Sequence, residues 1–321
     1  MRIILAPMEG LVDSPIRESL TQVGGIDRCV TEFIRVTHGM LPPRIFYKFA
    51  PELHNRCHTS TGIPVAVQLL GSDPVQMGLH GARAAELGAP RVDINFGCPA
   101  KTVNKHKGGA VLLDEPELVY QITRAVRQAV PAHVPVTAKM RLGYLDRSMG
   151  IACGHALEAA GAAEIVIHAR SKADGYKPPA YWEEVALVRE AVSARVIANG
   201  DIWTVEDYWR CRKVTGCEDV MIGRGLISRP DLAACIKASQ KGESHTPMTW
   251  LEAVALVKGY GHVLQGHLDD KYVCGRVKQW LNYLRRGFAE AEAVWPQARK
   301  LRDAETLFKC LVEVGAKREA A

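Results

Sequence analysis

Long apolar runs are missing from this sequence. None of its 321 residues falls in a stretch approaching the roughly 18 apolar positions that a membrane-spanning helix needs. The opening Met1-Arg2-Ile3-Ile4-Leu5 is too short an apolar segment for a signal peptide, so no secretory leader is expected. Cys-x-x-Cys pairs are also absent. The nine cysteines are an odd number, scattered without interleaved histidines, which argues against a zinc site or a disulfide framework. Reduced thiols in a cytoplasmic protein are expected instead. A one-sided charge is lacking too: 41 Lys+Arg against 35 Asp+Glu leave a net charge of +6, only a weak bias toward anionic partners. Finally, the first apolar run ends in Ala6-Pro7-Met8-Glu9-Gly10, with no G-x-G-x-x-G turn for a dinucleotide.

What is present is an alternation. Short β-branched runs, at Ile3–Pro7, Arg28–Ile34, Val65–Gly71, Arg91–Gly97, Val136–Arg141, Glu164–Ala169, Arg195–Asn199 and Asp219–Gly223, are predicted strands. Amphipathic stretches such as Pro74–Gly88, Pro116–Val130, Tyr181–Val192 and Val205–Val214 lie between them. This α/β pattern predicts a (β/α)8 TIM barrel over residues 1–242, ahead of a doubly wound open sheet. A polar Gly242-Glu243-Ser244-His245-Thr246-Pro247 linker follows. Beyond it, Met248–Gln265, Asp269–Arg286 and Ala289–Val314 read as helices, a C-terminal helical-bundle domain over 247–321.

Barrel enzymes carry their chemistry at the carboxyl ends of the strands. Those ends here are polar: Pro7, Met8 and Glu9; Glu32 and Arg35; Gln68; Asn95 to Pro99; Lys139 and Arg141; His168; Asn199 to Asp201; Gly223 and Arg224. Any one of them has a bland structural explanation, but together they converge on one mouth. Asn199-Gly200-Asp201 and Gly223-Arg224-Gly225 close the seventh and eighth strands, where this fold often holds a phosphate. Glycine lets backbone N–H groups approach an anion, and the helix following Gly225 is expected to add its positive end. Lys139, on an interior strand, needs an anionic partner, which the pyrimidine edge of a reduced flavin supplies. Cys98 is the one cysteine expected on a loop just past a strand end, open to a ligand. It can act as proton donor or nucleophile; a metal role lacks companion ligands.

These strings resemble the tRNA-dihydrouridine synthases. Ala6-Pro7-Met8-Glu9-Gly10, Val67-Gln68-Leu69-Leu70-Gly71, Asp93-Ile94-Asn95-Phe96-Gly97-Cys98-Pro99-Ala100-Lys101, Lys107-Gly108-Gly109-Ala110, Lys139-Met140-Arg141-Leu142-Gly143, His168-Ala169-Arg170, Ala198-Asn199-Gly200-Asp201 and Met221-Ile222-Gly223-Arg224-Gly225 occur in the family's order. Glu9-Gly10-Leu11-Val12-Asp13, and Arg35 after Glu32-Phe33-Ile34, are most similar to the bacterial C branch, which acts at position 16 of the tRNA D-loop. The resemblance implies tightly bound FMN, held by Pro7, Met8, Glu9, Gln68, Lys139, His168, Asn199, Gly200, Asp201, Gly223 and Arg224. It implies NADPH as reductant, Cys98 as the catalytic acid, tRNA as substrate, no metal and no obligate protein partner.

Contacts to tRNA are expected from Arg35, Asn95 and Arg141 at the mouth, and from one face of a tail helix. Between Lys271 and Arg286 lie five basic residues and no acid. Tyr272, Arg276, Gln279 and Tyr283 there fall on one helical face, and interleaved aromatics suit RNA. Lys101, Lys105, Lys107, Arg170 and Lys172 add a second basic rim. Two rivals remain: a flavoenzyme of a free pyrimidine such as dihydroorotate, which has no use for a basic tail, and a non-catalytic RNA-binding protein, which has no use for Cys98, Lys139 and His168.

Overall fold

A computed structural model describes residues 1–319 of the chain; the last two residues of the expected 247–321 tail lie outside the described residues. Nine strand segments form a single parallel sheet: Ile3–Leu5, Arg28–Val30, Ile34–Arg35, Val65–Leu70, Val92–Phe96, Val136–Gly143, Glu164–Ser171, Arg195–Asn199 and Val220–Ile222. The first pairs with the last, Ile4 opposite Met221, and also with Arg28–Val30, which pairs onward with Val65–Leu70. The sheet therefore closes into the expected parallel barrel, with helices alternating between strands and a helical region following it. The predicted second strand, Arg28–Ile34, is split. Thr31 still donates its N–H to the Ala66 carbonyl at 3.0 Å, but Glu32-Phe33 leaves the ladder before Ile34–Arg35 rejoins Val65–Leu70, with Ile34 opposite Leu69.

Burial explains the strand composition. Apolar side chains face the helices on the outside, and the inside is filled by the small or branched Ile4, Ala6, Val30, Ala66, Val166 and Ile197, together with the unbranched Met221. Below that layer, at the amino ends of the strands, the barrel is closed by charge. The Glu164 carboxylate lies 2.6 Å from Arg28, 2.8 Å from Arg2 and 3.4 Å from Arg91. Asp219 takes Arg2 at 2.6 Å and Arg195 at 2.8 Å. The guanidiniums hold both carboxyls below the usual carboxylate range against the opposing effect of burial.

Compactness divides the chain into two units. One comprises Met1–Glu9, Ile26–Ile202 and Glu206–Gly223; the other comprises Gly10–Gly25, Trp203–Val205 and the residues from Arg224 onward. The second unit thus holds more than the expected tail. The helix Ser14–Val23 packs on the helix Trp250–Gln265 and clusters with it. Trp250–Gln265 opens with a capping box, Thr249 and Glu252 each bonding the other's backbone N–H. Its neighbour Asp270–Leu284 buries Trp280, whose indole N–H donates to the Ile227 carbonyl at 3.1 Å and whose ring meets Tyr260 edge-on at 5.4 Å. The expected third helix, Ala289–Val314, is two helices, Ala289–Ala298 and Ala304–Glu319. The chain restarts at Asp303, whose carboxylate accepts from the Thr306 N–H at 2.7 Å. Among the described residues no helix is long and apolar enough to cross a membrane.

Candidate active site at the barrel mouth

The pleat decides which side chains enter the mouth. Asn95 lies opposite Lys139, Arg141 opposite His168, and His168 opposite Asn199. Thr137, two residues before Lys139, reaches the interior carboxylate of Asp93 at 2.6 Å. Lys139, two positions on, therefore faces the same interior one layer higher, as does Asn95 beside Asp93. Gln68 joins them, its amide donating to Asp93 at 2.7 Å and accepting from Asn95 at 2.8 Å. Sequence reading placed Gln68, Asn95, Lys139 and His168 in one mouth, and the structure brings them there.

Lys139 makes no ion pair within 4 Å among the described residues. Burial and then the Arg141 charge bring its ammonium down from 10.5 to about 8, with Asp93 and Cys98 opposing the change. An ammonium so placed favours an anion, which is the demand of a reduced flavin's pyrimidine edge. The neighbouring turns fit a flavin phosphate in part. Gly200 has φ +126°, and a Cβ there would come 3.3 Å from the His168 ring. Gly223 is similarly close, 3.3 Å from Met8 Sδ. Asp201 is held by the fully buried Arg170, whose Nη1 has no hydrogen-bond partner among the described residues. Asn199 spends its amide on the Met221 carbonyl at 2.8 Å. The helix carrying Gly225 begins at Arg224 and ends at Ser228, too short to supply the expected positive end. Arg224 itself lies 5.0 Å from the Trp203 ring, which Arg286 also covers at 3.6 Å.

Cys98 sits on the expected loop, but its thiol is not open. Only 7% of the residue is exposed, and it packs with Leu70 and Val103 beneath Phe33 and Ala100. Sequence reading missed this because Phe33 comes from the interrupted second strand. Two asparagines set the loop. Asn95 Oδ1 accepts from the backbone N–H of Gly97 and of Cys98, both at 2.9 Å. Asn104 donates to the carbonyls of Cys98 and Ala100 at 2.9 and 2.8 Å and accepts from Val111 N–H at 2.8 Å. Gly109, at φ +69°, passes so close that a Cβ there would lie 2.7 Å from the Cys98 carbonyl oxygen. Burial pushes the thiol above its ordinary value, with only the Ala100 N–H and two arginines opposing. The group is therefore protonated at neutral pH: it can give a proton, and it is a poor thiolate nucleophile.

The residues expected to contact RNA fare differently. Arg35 is exposed at the end of its strand. Arg141 is 2% exposed and already committed, donating to the carbonyls of Gly97, Ser171 and Gly175 at 3.0, 2.8 and 2.9 Å and covering Tyr176 at 5.1 Å. It braces the cysteine loop from below and leaves no surface for a phosphate. On the tail, Tyr272 is exposed. Arg276 instead pairs with Asp13 at 2.6 Å and donates to the carbonyls of Gly10 and Leu11, while Gln279 donates to Gly10 at 2.9 Å. These two fasten the segment Gly10–Asp13. Other charges of the same helix are also engaged, Arg285 by Glu292 at 2.7 Å and Lys278 by the Leu301 carbonyl at 2.5 Å. Lys101, Lys105 and Lys107 remain exposed. Asp231, Cys235 and His245 bring ligand atoms within 4.8 Å of one another, but the Asp231 carboxylate is taken by Arg229 and by Met248 N–H, both at 2.7 Å.

A closed parallel barrel with lysine, imidazole, amides and a protonated thiol gathered at its carboxyl-end mouth defines a barrel enzyme equipped for proton transfer beside an anionic ligand. The family model described as "Dihydrouridine synthase (Dus)" matches residues 4–320, and the chain belongs to that family, whose members are flavin-dependent. It is 52% identical over 97% of its length, and 96% of the relative's, to a protein of Pseudomonas putida named tRNA-dihydrouridine(16) synthase. Proteins of the same name from Shewanella oneidensis and Neisseria meningitidis serogroup B are 49% and 44% identical, each match covering 97% of this chain and 97% and 94% of theirs.

Proposed function

We propose that this chain reduces uridine 16 in the D-loop of tRNA to 5,6-dihydrouridine, consuming NADPH and a proton. The observation that carries the reading is the buried, protonated Cys98 thiol held in the same mouth as the unpaired Lys139 ammonium. Relatives bearing that activity in their names cover nearly the whole chain.

Flavin mononucleotide, when bound, supplies the hydride that the electrophilic C6 of uracil accepts. Lys139 and His168 would hold its ring, with Gln68 braced beneath them by Asp93 and Asn95, and Gly200 and Gly223 would admit its phosphate. Lys139 keeps a positive charge beside the negative charge that develops there. C5 becomes enolate-like as C6 gains hydride, and Cys98 gives it the proton, the thiolate regaining one from water. The cramped loop positions that proton and excludes bulk solvent. The target base leaves the tRNA stack to reach the mouth. Arg35 and the lysines at 101, 105 and 107 are assigned to tRNA phosphates, and Tyr272 to RNA stacking. Mapping dihydrouridine in tRNA from a strain lacking this chain tests the reading. Loss confined to position 16 supports it; an unchanged map, or activity only on free pyrimidines, refutes it.

A further inference from the structure

The hydrogen bonds around Gln68 form a chain whose polarity is fixed from the cysteine loop. At one end are the backbone N–H groups of Gly97 and Cys98, which can only donate, so Asn95 must present its oxygen to them. Its NH2 then faces Gln68, which must offer its carbonyl, at 2.8 Å. The Gln68 NH2 is thereby turned downward, onto the Asp93 carboxylate at 2.7 Å. Asp93 Oδ2 accepts that bond, and burial pushes the carboxyl above its ordinary value against the opposing Gln68 and Thr137 hydrogen bonds and the Arg28 and Lys139 charges. Asp93 is 2% exposed and Gln68 fully buried, and the other Asp93 oxygen takes the Thr137 hydroxyl at 2.6 Å. These buried groups have one another as partners, and hydrogen bonds in such a chain polarise one another.

From this juxtaposition we infer that Asp93 is a positioning residue: through Gln68 and Asn95 it holds the backbone of Cys98, and with it the thiol, in the geometry for proton transfer. The inference rests on Cys98 as the acid of the proposed reaction. Asp93 touches neither base nor thiol itself. Without it, the Gln68 NH2 is left buried and unpaired, a condition that favours the flipped amide. A flipped Gln68 turns its NH2 on the NH2 of Asn95, and the loop loses its anchor.

The test compares Asp93→Leu, which removes both acceptors while keeping the branching at Cγ, with Asp93→Asn, which keeps an acceptor for Gln68. In the flavin-loaded full chain, alkylation of the Cys98 peptide is followed against pH by mass spectrometry, beside turnover on tRNA. Asp93→Leu is expected to free the thiol, moving the alkylation profile down toward the ordinary thiol value of about 8.5. It should lower kcat roughly tenfold or more with KM for tRNA unchanged. Asp93→Asn should restore both to within about threefold. Combined with Asn95→Ala, Asp93→Leu should add little further loss, because the two act through one chain. If Asp93→Leu does not fold, Thr137→Val, which strips one of the two bonds to Asp93, should shift the profile in the same direction by less. A folded, flavin-loaded Asp93→Leu or Thr137→Val with unchanged alkylation profile and kcat overturns the inference. If instead Cys98→Ala still turns over tRNA at full rate, the acid assignment fails independently of Asp93.

Discussion

Lys139→Met tests whether a charge in the barrel mouth is kept for a ligand at the expense of the fold. Among the described residues the ammonium has no carboxylate within 4 Å, and burial with Arg141 brings it from 10.5 to about 8. Each unit corresponds to roughly 1.4 kcal/mol, so full burial would cost about 3 kcal/mol at neutral pH. The side chain keeps an exposed edge, which reduces this to about 1–3 kcal/mol. A lysine whose folded value lies below its unfolded value makes the unfolded chain the better proton binder between the two. Stability of the flavin-free protein should therefore rise as pH climbs from about 8 toward the unfolded value, with the cost fully present below about 8. Methionine has nearly the same length and no charge. The flavin-free variant should be more stable than the parent by about 1–3 kcal/mol near pH 7, and the difference should vanish near pH 10. Its affinity for flavin mononucleotide should fall roughly tenfold or more, because the anion loses its partner. Urea unfolding at the two pH values and flavin titration by fluorescence read both effects. A variant less stable near neutral pH, with flavin affinity intact, would refute the reasoning.

Four shorter expectations follow from the same geometry. Cys98→Ala should keep its bound flavin and its NADPH oxidation while turnover on tRNA, read as dihydrouridine formed, drops roughly 100-fold, the scale of losing a placed acid; wild-type turnover would remove the proton-donor role. Gly200→Ala forces a side chain into φ +126° and against the His168 ring, so thermal stability should fall by about 1–3 kcal/mol and the protein should purify with less flavin; an equally yellow, equally stable protein would contradict it. Arg276→Ala should destabilise the protein by about 1–3 kcal/mol by removing the guanidinium partner of Asp13 and the bonds to Gly10 and Leu11, yet leave the salt dependence of tRNA binding as it was. Arg35→Ala should do the reverse, flattening the salt slope by about one unit at constant stability.

Much of this was legible in the sequence because it depends on local pattern. Eight β-branched runs alternating with amphipathic ones leave little but a parallel barrel, and strand ends can be counted. Gln68, Lys139 and His168 could then be placed in the mouth from position alone. What escaped is what partners decide. Arg141 and Arg276 read as free positive charge, yet one is consumed by three carbonyls and the other by Asp13 and two carbonyls. Charge is a property of the residue; availability is a property of the packing. Asp93 went unnoticed for the same reason, although its place two residues before Asn95, on the same side of one strand, marks it as an interior carboxylate. The break after Ala298 was hidden because apolar spacing continues across it, and only the Asp303 cap reveals the restart.

The split in the second strand has a consequence for anyone wishing to transplant specificity between family members. Thr31-Glu32-Phe33 leads directly to the exposed Arg35, so the segment invites exchange as a cassette for altering RNA preference. Phe33, however, is also the lid that packs on Leu70, Cys98 and Val103. A graft that swaps the rim without a large apolar residue at position 33 would unroof the thiol and expose it to water and oxidants. The arginine proposed to read RNA and the cover over the thiol thus share one short peptide, and a chimera must carry both or neither.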